Sequence, residues 1–325
     1  ELARISHNSL PISRRNPVSE ICRLASAVEK PTTGRHPPHN FSKSTREEGI
    51  ERTYEGFTHA TAHGSSILHN RLNSLGTEIS QHVENFAHIS VTDSTHATAR
   101  RLVETVDAED LKLGSTLIVA DRQDRGEGRG DRSWASPAGG LYLSLVLPDV
   151  DAETVPRLPM LAATAASDAI SSLVVADVRI KWPNDILVDG RKIAGILISA
   201  RHGETVWSAI SLGVNLAEAP EISAGEGLPA TSIADHVETG DFESWRESLV
   251  IGFLDRFKRC MEDPGPALDR WREHLIQRPG DQISVRIASG KTISGELTEL
   301  SSEGFLRIRH DGEETVITGG DIIES

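Results

Sequence analysis

Between residues 178 and 199 three short apolar runs are cut by Trp182-Pro183-Asn184 and by Asp189-Gly190. Proline has no amide hydrogen to give a helix, and it pushes the residue before it towards extended backbone. Asp-Gly between apolar runs signals a two-residue hairpin. The stretch therefore reads as three adjacent strands, 178–182, 185–188 and 192–199. The first of them ends on Lys181, a charge that is costly beside Trp-Pro unless something meets it.

Similar signals organise the rest of the chain. Residues 86–91, 116–120, 140–147 and 206–214 read as strands. Asp93-Ser94-Thr95 can cap a helix over 97–106. Leu158, Leu161, Ala162, Ala165, Ala169 and Leu173 fall at helical spacing over 158–175. Two amphipathic helices are predicted at 242–261 and 267–276. Elements so mixed predict an α+β domain over residues 69–278, a mixed sheet with helices on one side. After Pro279-Gly280 come short strands at 283–287, 292–297, 305–309 and 315–317, joined by Ser289-Gly290, Glu303-Gly304 and Asp311-Gly312. They predict a small SH3-like β-barrel over 279–325. Residues 1–68 are rich in Ser, Thr, Arg and Pro, and only Ile21, Leu24, Ala25 and Val28 show helical spacing. A disordered extension is predicted there. Its scattered histidines fit no metal-ligand spacing.

A net charge of −14 on 325 residues argues against a nucleic-acid-binding protein as a whole, while leaving room for one basic pocket. No run approaches the roughly 20 apolar residues that span a bilayer. Cys22 and Cys260 lie far apart, and no charged-then-apolar leader is recognisable, so a reducing, cytoplasmic setting is expected.

The basic pocket has a source in Gly126-Glu127-Gly128-Arg129-Gly130-Asp131-Arg132-Ser133-Trp134. Glycines allow close backbone approach and guanidinium groups bind phosphate oxygens in forked pairs. Trp134 adds a flat face for a base.

Lys181-Trp182-Pro183-Asn184-Asp185 and this loop together resemble the biotin protein ligase family, which adenylates biotin and transfers it to a carrier-protein lysine. The resemblance covers about residues 72–325 and implies a class II synthetase-like catalytic domain followed by an SH3-like barrel. It makes Lys181 the catalytic cation, holding the biotin carboxylate and the ATP α-phosphate, with Arg129 assisting. It assigns Ser94, Thr95, Gln123, Lys181 and Gly195 to biotin, and Gly128, Arg129, Arg132, Trp134 and Asn215 to the nucleotide. Asp185 is its candidate for Mg²⁺. The implied partner is a biotin carboxyl carrier domain of a biotin-dependent carboxylase. An exposed strand could pair with that carrier or with a second subunit in a homodimer.

The chain departs from the family pattern in four places. His96 stands for asparagine, Ser211 for a common glycine, Glu127 for arginine and Asp131 for glycine. The two carboxylates are expected to weaken nucleotide binding. No helix–turn–helix pattern precedes residue 69, so no DNA-binding repressor role is expected. The alternatives are a lipoate or octanoate ligase on the same fold and a non-catalytic biotin sensor or repressor.

Overall fold

The computed structural model of the protein describes residues 50–54, 57–62, 75–109, 111–203, 206–223 and 227–324. Nine strands form one sheet: β1 (Ile50–Tyr54), β2 (Phe57–Ala62), β3 (Asn85–Thr92), β4 (Thr116–Gln123), β5 (Leu141–Leu147), β6 (Val178–Lys181), β7 (Asp185–Val188), β8 (Arg191–His202) and β9 (Val206–Val214). Their order is β1-β2-β3-β4-β5-β9-β8-β7-β6. The β2–β3 and β3–β4 pairs are parallel and the others antiparallel. The sheet is therefore mixed, as its sequence predicts. Strands β1 and β2 lie inside the stretch predicted to be disordered, so that expectation is corrected for residues 50–54 and 57–62. The expectations for residues 1–49, 55–56 and 63–68 lie outside the described residues.

Alternation along the strands separates two cores. Phe86, Leu117 and Val119 face one core, together with α2 (Leu158–Ser171), α3 (Phe242–Glu262) and α4 (Pro264–His274). Ala87, Ile89 and Ile118 face the other, under α1 (Thr95–Ala108). Helices thus cover both faces, where the sequence reading expected one. A parallel β3–β4 pair needs a crossover, and α1 supplies it on the face away from α2–α4.

The hairpin at Asp189-Gly190 has both residues in the left-handed region (φ 49° and 75°), the geometry that a tight two-residue turn demands. A second, five-stranded antiparallel sheet follows, made of β10 (Gln282–Arg286), β11 (Thr292–Leu300), β12 (Leu306–His310), β13 (Glu313–Ile317) and β14 (Asp321–Glu324). It is ordered β13-β12-β11-β10-β14. Its inward residues, among them Val285, Leu297 and Ile308, belong to the same apolar cluster as α2–α4. Trp182 joins the two sheets: its indole N–H donates to the Gly304 carbonyl (2.8 Å), and its backbone N–H donates to Gln277 Oε1 (3.0 Å). Among the described residues no helix is long and apolar enough to cross a membrane.

Candidate active site

A pocket opens where the ends of β3 and β4, the start of α1 and the glycine–arginine loop meet the middle of β8 and β9. At one end it is polar and neutral. Ser94 caps α1, accepting the Ala97 N–H (3.2 Å) and keeping its own O–H to give. Gln123 Oε1 accepts both the backbone N–H (2.7 Å) and the hydroxyl (3.1 Å) of Thr95, while Gln123 Nε2 donates to Ser136 Oγ (2.8 Å). Gln123 thus holds Thr95 in place. Asp93 supports the same turn, accepting the Ser94 N–H (2.8 Å) and both terminal nitrogens of Arg101 (2.7 and 2.8 Å). Burial pushes the Asp93 carboxyl upward, but these hydrogen bonds outweigh it and hold it below the ordinary value.

The other end is cationic and aromatic. The loop is a small hairpin: Gly128 N–H donates to the Arg132 carbonyl (2.7 Å) and Trp134 N–H to the Gly126 carbonyl (2.8 Å). It sets the Trp134 indole across a cross-strand pair of glycines, Gly195 on β8 and Gly213 on β9. A Cβ on Gly213 would lie 2.6 Å from the indole nitrogen, and one on Gly195 would lie 3.2 Å from Cζ3. Only glycine leaves room for the ring at Gly213. Lys192 Nζ sits 5.2 Å from the Trp134 ring centroid and 2.7 Å from Asp185 Oδ1. Its backbone is held on both sides, N–H to the Pro229 carbonyl (2.7 Å) and carbonyl to the Thr231 N–H (2.9 Å). The 229–231 segment is thus what fixes the Lys192 backbone.

Ser94, Thr95, Gln123, Gly128, Arg129, Arg132, Trp134, Asp185 and Gly195 all line this one pocket. Lys181 and Asn215 are not among its lining residues. Lys181 Nζ donates to the Ile322 carbonyl on β14 (2.9 Å). Burial lowers its pKa, with Asp185 pulling the other way. Asn215 is 5% exposed and spends its amide on the Thr231 carbonyl (3.0 Å). The cation beside the pocket's aromatic ring is therefore Lys192 rather than Lys181.

Arg129 and Arg132 also reach β14. Arg129 donates to the Gly320 carbonyl (2.9 Å) and lies 3.3 Å from Asp321 Oδ1, while Arg132 lies 2.8 Å from the same oxygen. Glu127 is partly offset by Arg100, 3.4 Å away.

The family model for the Biotin/lipoate A/B protein ligase family matches residues 89–216, from β3 to just past β9. A biotin–[acetyl-CoA-carboxylase] ligase of Paracoccus denitrificans is 36% identical over 71% of this chain and 97% of its own length. A bifunctional ligase/repressor of Bacillus subtilis is 32% identical over 66% of each chain. The structure of a biotin protein ligase from Aquifex aeolicus in complex with biotin and ATP superposes with a TM-score of 0.57. It is 23% identical, covering 73% of this chain and 97% of its own. The fold and the matched segment define a carboxylate-activating protein ligase, and the chain belongs to the biotin protein ligase family.

Proposed function

We infer that this chain joins biotin to a lysine of a carrier protein at the expense of ATP, and that both half-reactions run in the pocket above. The observation that carries the reading is the pocket's division into a neutral hydrogen-bonding end at Ser94 and Thr95 and a cationic, aromatic end at Trp134 and Lys192. A neutral urea ring suits the first. A carboxylate beside a nucleotide suits the second.

In the first half-reaction a biotin carboxylate oxygen attacks the ATP α-phosphorus, and the bond to the leaving pyrophosphate breaks. Negative charge then gathers on the α-phosphoryl oxygens. Lys192, with its backbone fixed at both ends, is the cation that meets it, taking the role expected of Lys181. Arg129 and Arg132 complete the phosphate side, Gly128 allows close backbone approach, and Trp134 faces the base. In the second half-reaction the carrier lysine's amine attacks the biotinyl carbonyl and AMP leaves. Gln123 acts by positioning Thr95, and Asn215 by bracing the end of β9 against the 229–231 segment.

Among the described residues no group of three or more His, Cys, Asp or Glu gathers to hold a metal, and Asp185 is already paired with Lys192. A resident protein-held Mg²⁺ does not fit this donor set. Mg²⁺ enters as the counterion of ATP, bound mainly through phosphate oxygens and water.

Residues 69–278 form the catalytic unit in this reading, and the five-stranded sheet supports an SH3-like barrel over 279–325. The carrier partner is a biotin carboxyl carrier domain. It docks where β8 continues past the end of its β7 pairing at Gly195, an edge that a second copy of the chain could also use. No repressor role is proposed, in keeping with a net charge of −14.

Pyrophosphate exchange into ATP tests the first half-reaction. Biotin should drive exchange and lipoate should not. Lys192→Ala should lower the rate by roughly 10²–10³, the usual cost of losing a preorganised charge-stabilising group. Lys181→Ala should cost far less. Equal losses in the two variants would overturn the assignment to Lys192, and exchange driven by lipoate would overturn the substrate.

A further inference from the structure

His96 and Ser211 depart from the family pattern, and the structure joins them. His96 Nδ1 lies 2.8 Å from Ser211 Oγ, which lies 2.7 Å from Ser144 Oγ. The three side chains belong to α1, β9 and β5. All are buried: His96 is 6% exposed, Ser211 7% and Ser144 0%. His96 and Ser211 both line the pocket, so the little surface that His96 keeps opens into it.

The direction of the chain follows from where its protons can go. Each hydroxyl has one hydrogen to give. If His96 Nδ1 gave its hydrogen to Ser211, one serine hydrogen would be left over: that of Ser144 if Ser211 gave to Ser144, or that of Ser211 if Ser144 gave to Ser211, and neither has another acceptor among the described residues. In the opposite sense Ser144 gives to Ser211, Ser211 gives to Nδ1, and every hydroxyl hydrogen is used. Buried donors are rarely left unmade, so the second sense is favoured. Nδ1 is then an acceptor, and the ring hydrogen sits on Nε2. The ring is neutral: burial, with Arg100 adding to it, lowers the His96 pKa to about 4. Among the described residues Nε2 has no hydrogen-bond partner.

We propose that His96 is a specificity residue for this chain's acid substrate, its Nε2–H donating to the ureido carbonyl oxygen of biotin, with the Ser144–Ser211 pair locking the tautomer. The inference rests on the functional reading above and deepens it. Of the groups on biotin's fused rings, the ureido carbonyl is the strong acceptor, while the ureido N–H groups are donors that a second donor would repel. The site thereby selects a carbonyl over any group that presents hydrogen at the same point. Protonated 2-iminobiotin, whose guanidinium replaces the urea, is such a group.

Calorimetric titration at neutral pH, with biotin and with 2-iminobiotin, tests this on the full chain. His96→Phe keeps a ring of similar size without the donor and should weaken biotin about tenfold, the scale of one lost hydrogen bond. His96→Asn can turn its amide oxygen towards the pocket, so its preference for biotin over protonated 2-iminobiotin should narrow. Selective ¹⁵N-histidine NMR reads the tautomer directly. The wild-type His96 signals should show a protonated Nε2 and a bare Nδ1, and Ser211→Ala should mix the tautomers while the fold persists. An unprotonated Nε2 in wild type, or biotin affinity unchanged in His96→Phe, would overturn the proposal. Failure of the wild type to bind biotin at all would instead overturn the functional reading on which it rests.

Discussion

His96 is a titratable ring kept 6% exposed, with its pKa lowered to about 4. An unfolded histidine titrates at about 6.5, so between these values the unfolded chain binds a proton that the folded chain refuses. The stability this neutral ring allows is fully present above pH 6.5 and declines as the pH falls towards 4. From pH 7 to pH 5 the loss is about 2 kcal/mol from this residue. Denaturant titrations at the two pH values should show a smaller drop for His96→Asn than for wild type. Equal drops would mean that His96 is not buried as a neutral ring. The sequence flagged His96 only as a departure, because a histidine after a helix cap reads the same whether its ring turns inward or outward. The two lysines pose a similar problem. Lys181 and Lys192 both border strands near turns, and only tertiary contacts separate the one bonded to Ile322 from the one beside Trp134.

Strand β8 shows why periodicity could not rank those lysines. In a regular strand, residues 192 and 195 would lie on opposite faces. The register between β7 and β8 pairs Ile186 with Ala194 and Leu187 with Lys192, leaving Ile193 as one extra residue. This bulge turns Lys192 onto the face of Gly195, and both line the pocket. Ile193 and Ala194 are consecutive and both fully buried, as the bulge requires. Strands β3–β13, the hairpin at Asp189-Gly190 and helices α1–α4 were legible because turn chemistry and apolar spacing are local signals, whereas β1 and β2 fell in a stretch read as disordered. The bulge was not, since it is set by the partner strand. The sequence also showed glycines at 195 and 213 without showing that they face each other. Together they seat Trp134, so Gly213→Ala must displace the indole. Overpacking of this kind costs about 1–3 kcal/mol, and the KM for ATP should rise about tenfold with biotin affinity little changed. An unchanged KM for ATP would show that Trp134 does not face the nucleotide.

At the scale of the molecule, the two sheets of the described residues are joined through the active-site loop and the Lys181-Trp182 corner. Lys181, Arg129 and Arg132 all bond to Gly320-Asp321-Ile322 at the start of β14, and Trp182 bonds to Gly304. Trp182 of the Trp-Pro motif is therefore a brace for the second sheet, and the residues that follow it, Asn184 and Asp185, line the pocket. In the proposed reading a nucleotide phosphate shares Arg129 and Arg132 with the Asp321 carboxylate. These pairs are partly exposed and screened by solvent, so each is worth no more than about 1 kcal/mol. Asp321→Asn should leave the melting temperature close to wild type and lower the KM for ATP by about two- to fivefold. A raised KM would mean that Asp321 assists the nucleotide rather than competing with it. Transfer itself is read by the intact mass of an apo biotin carboxyl carrier domain. Incubated with ATP, Mg²⁺, biotin and the wild-type chain, the domain should gain the mass of one biotinyl group, and with Lys192→Ala that gain should be nearly abolished. No gain from a folded, biotin-binding wild-type chain would contradict the account and favour a biotin sensor.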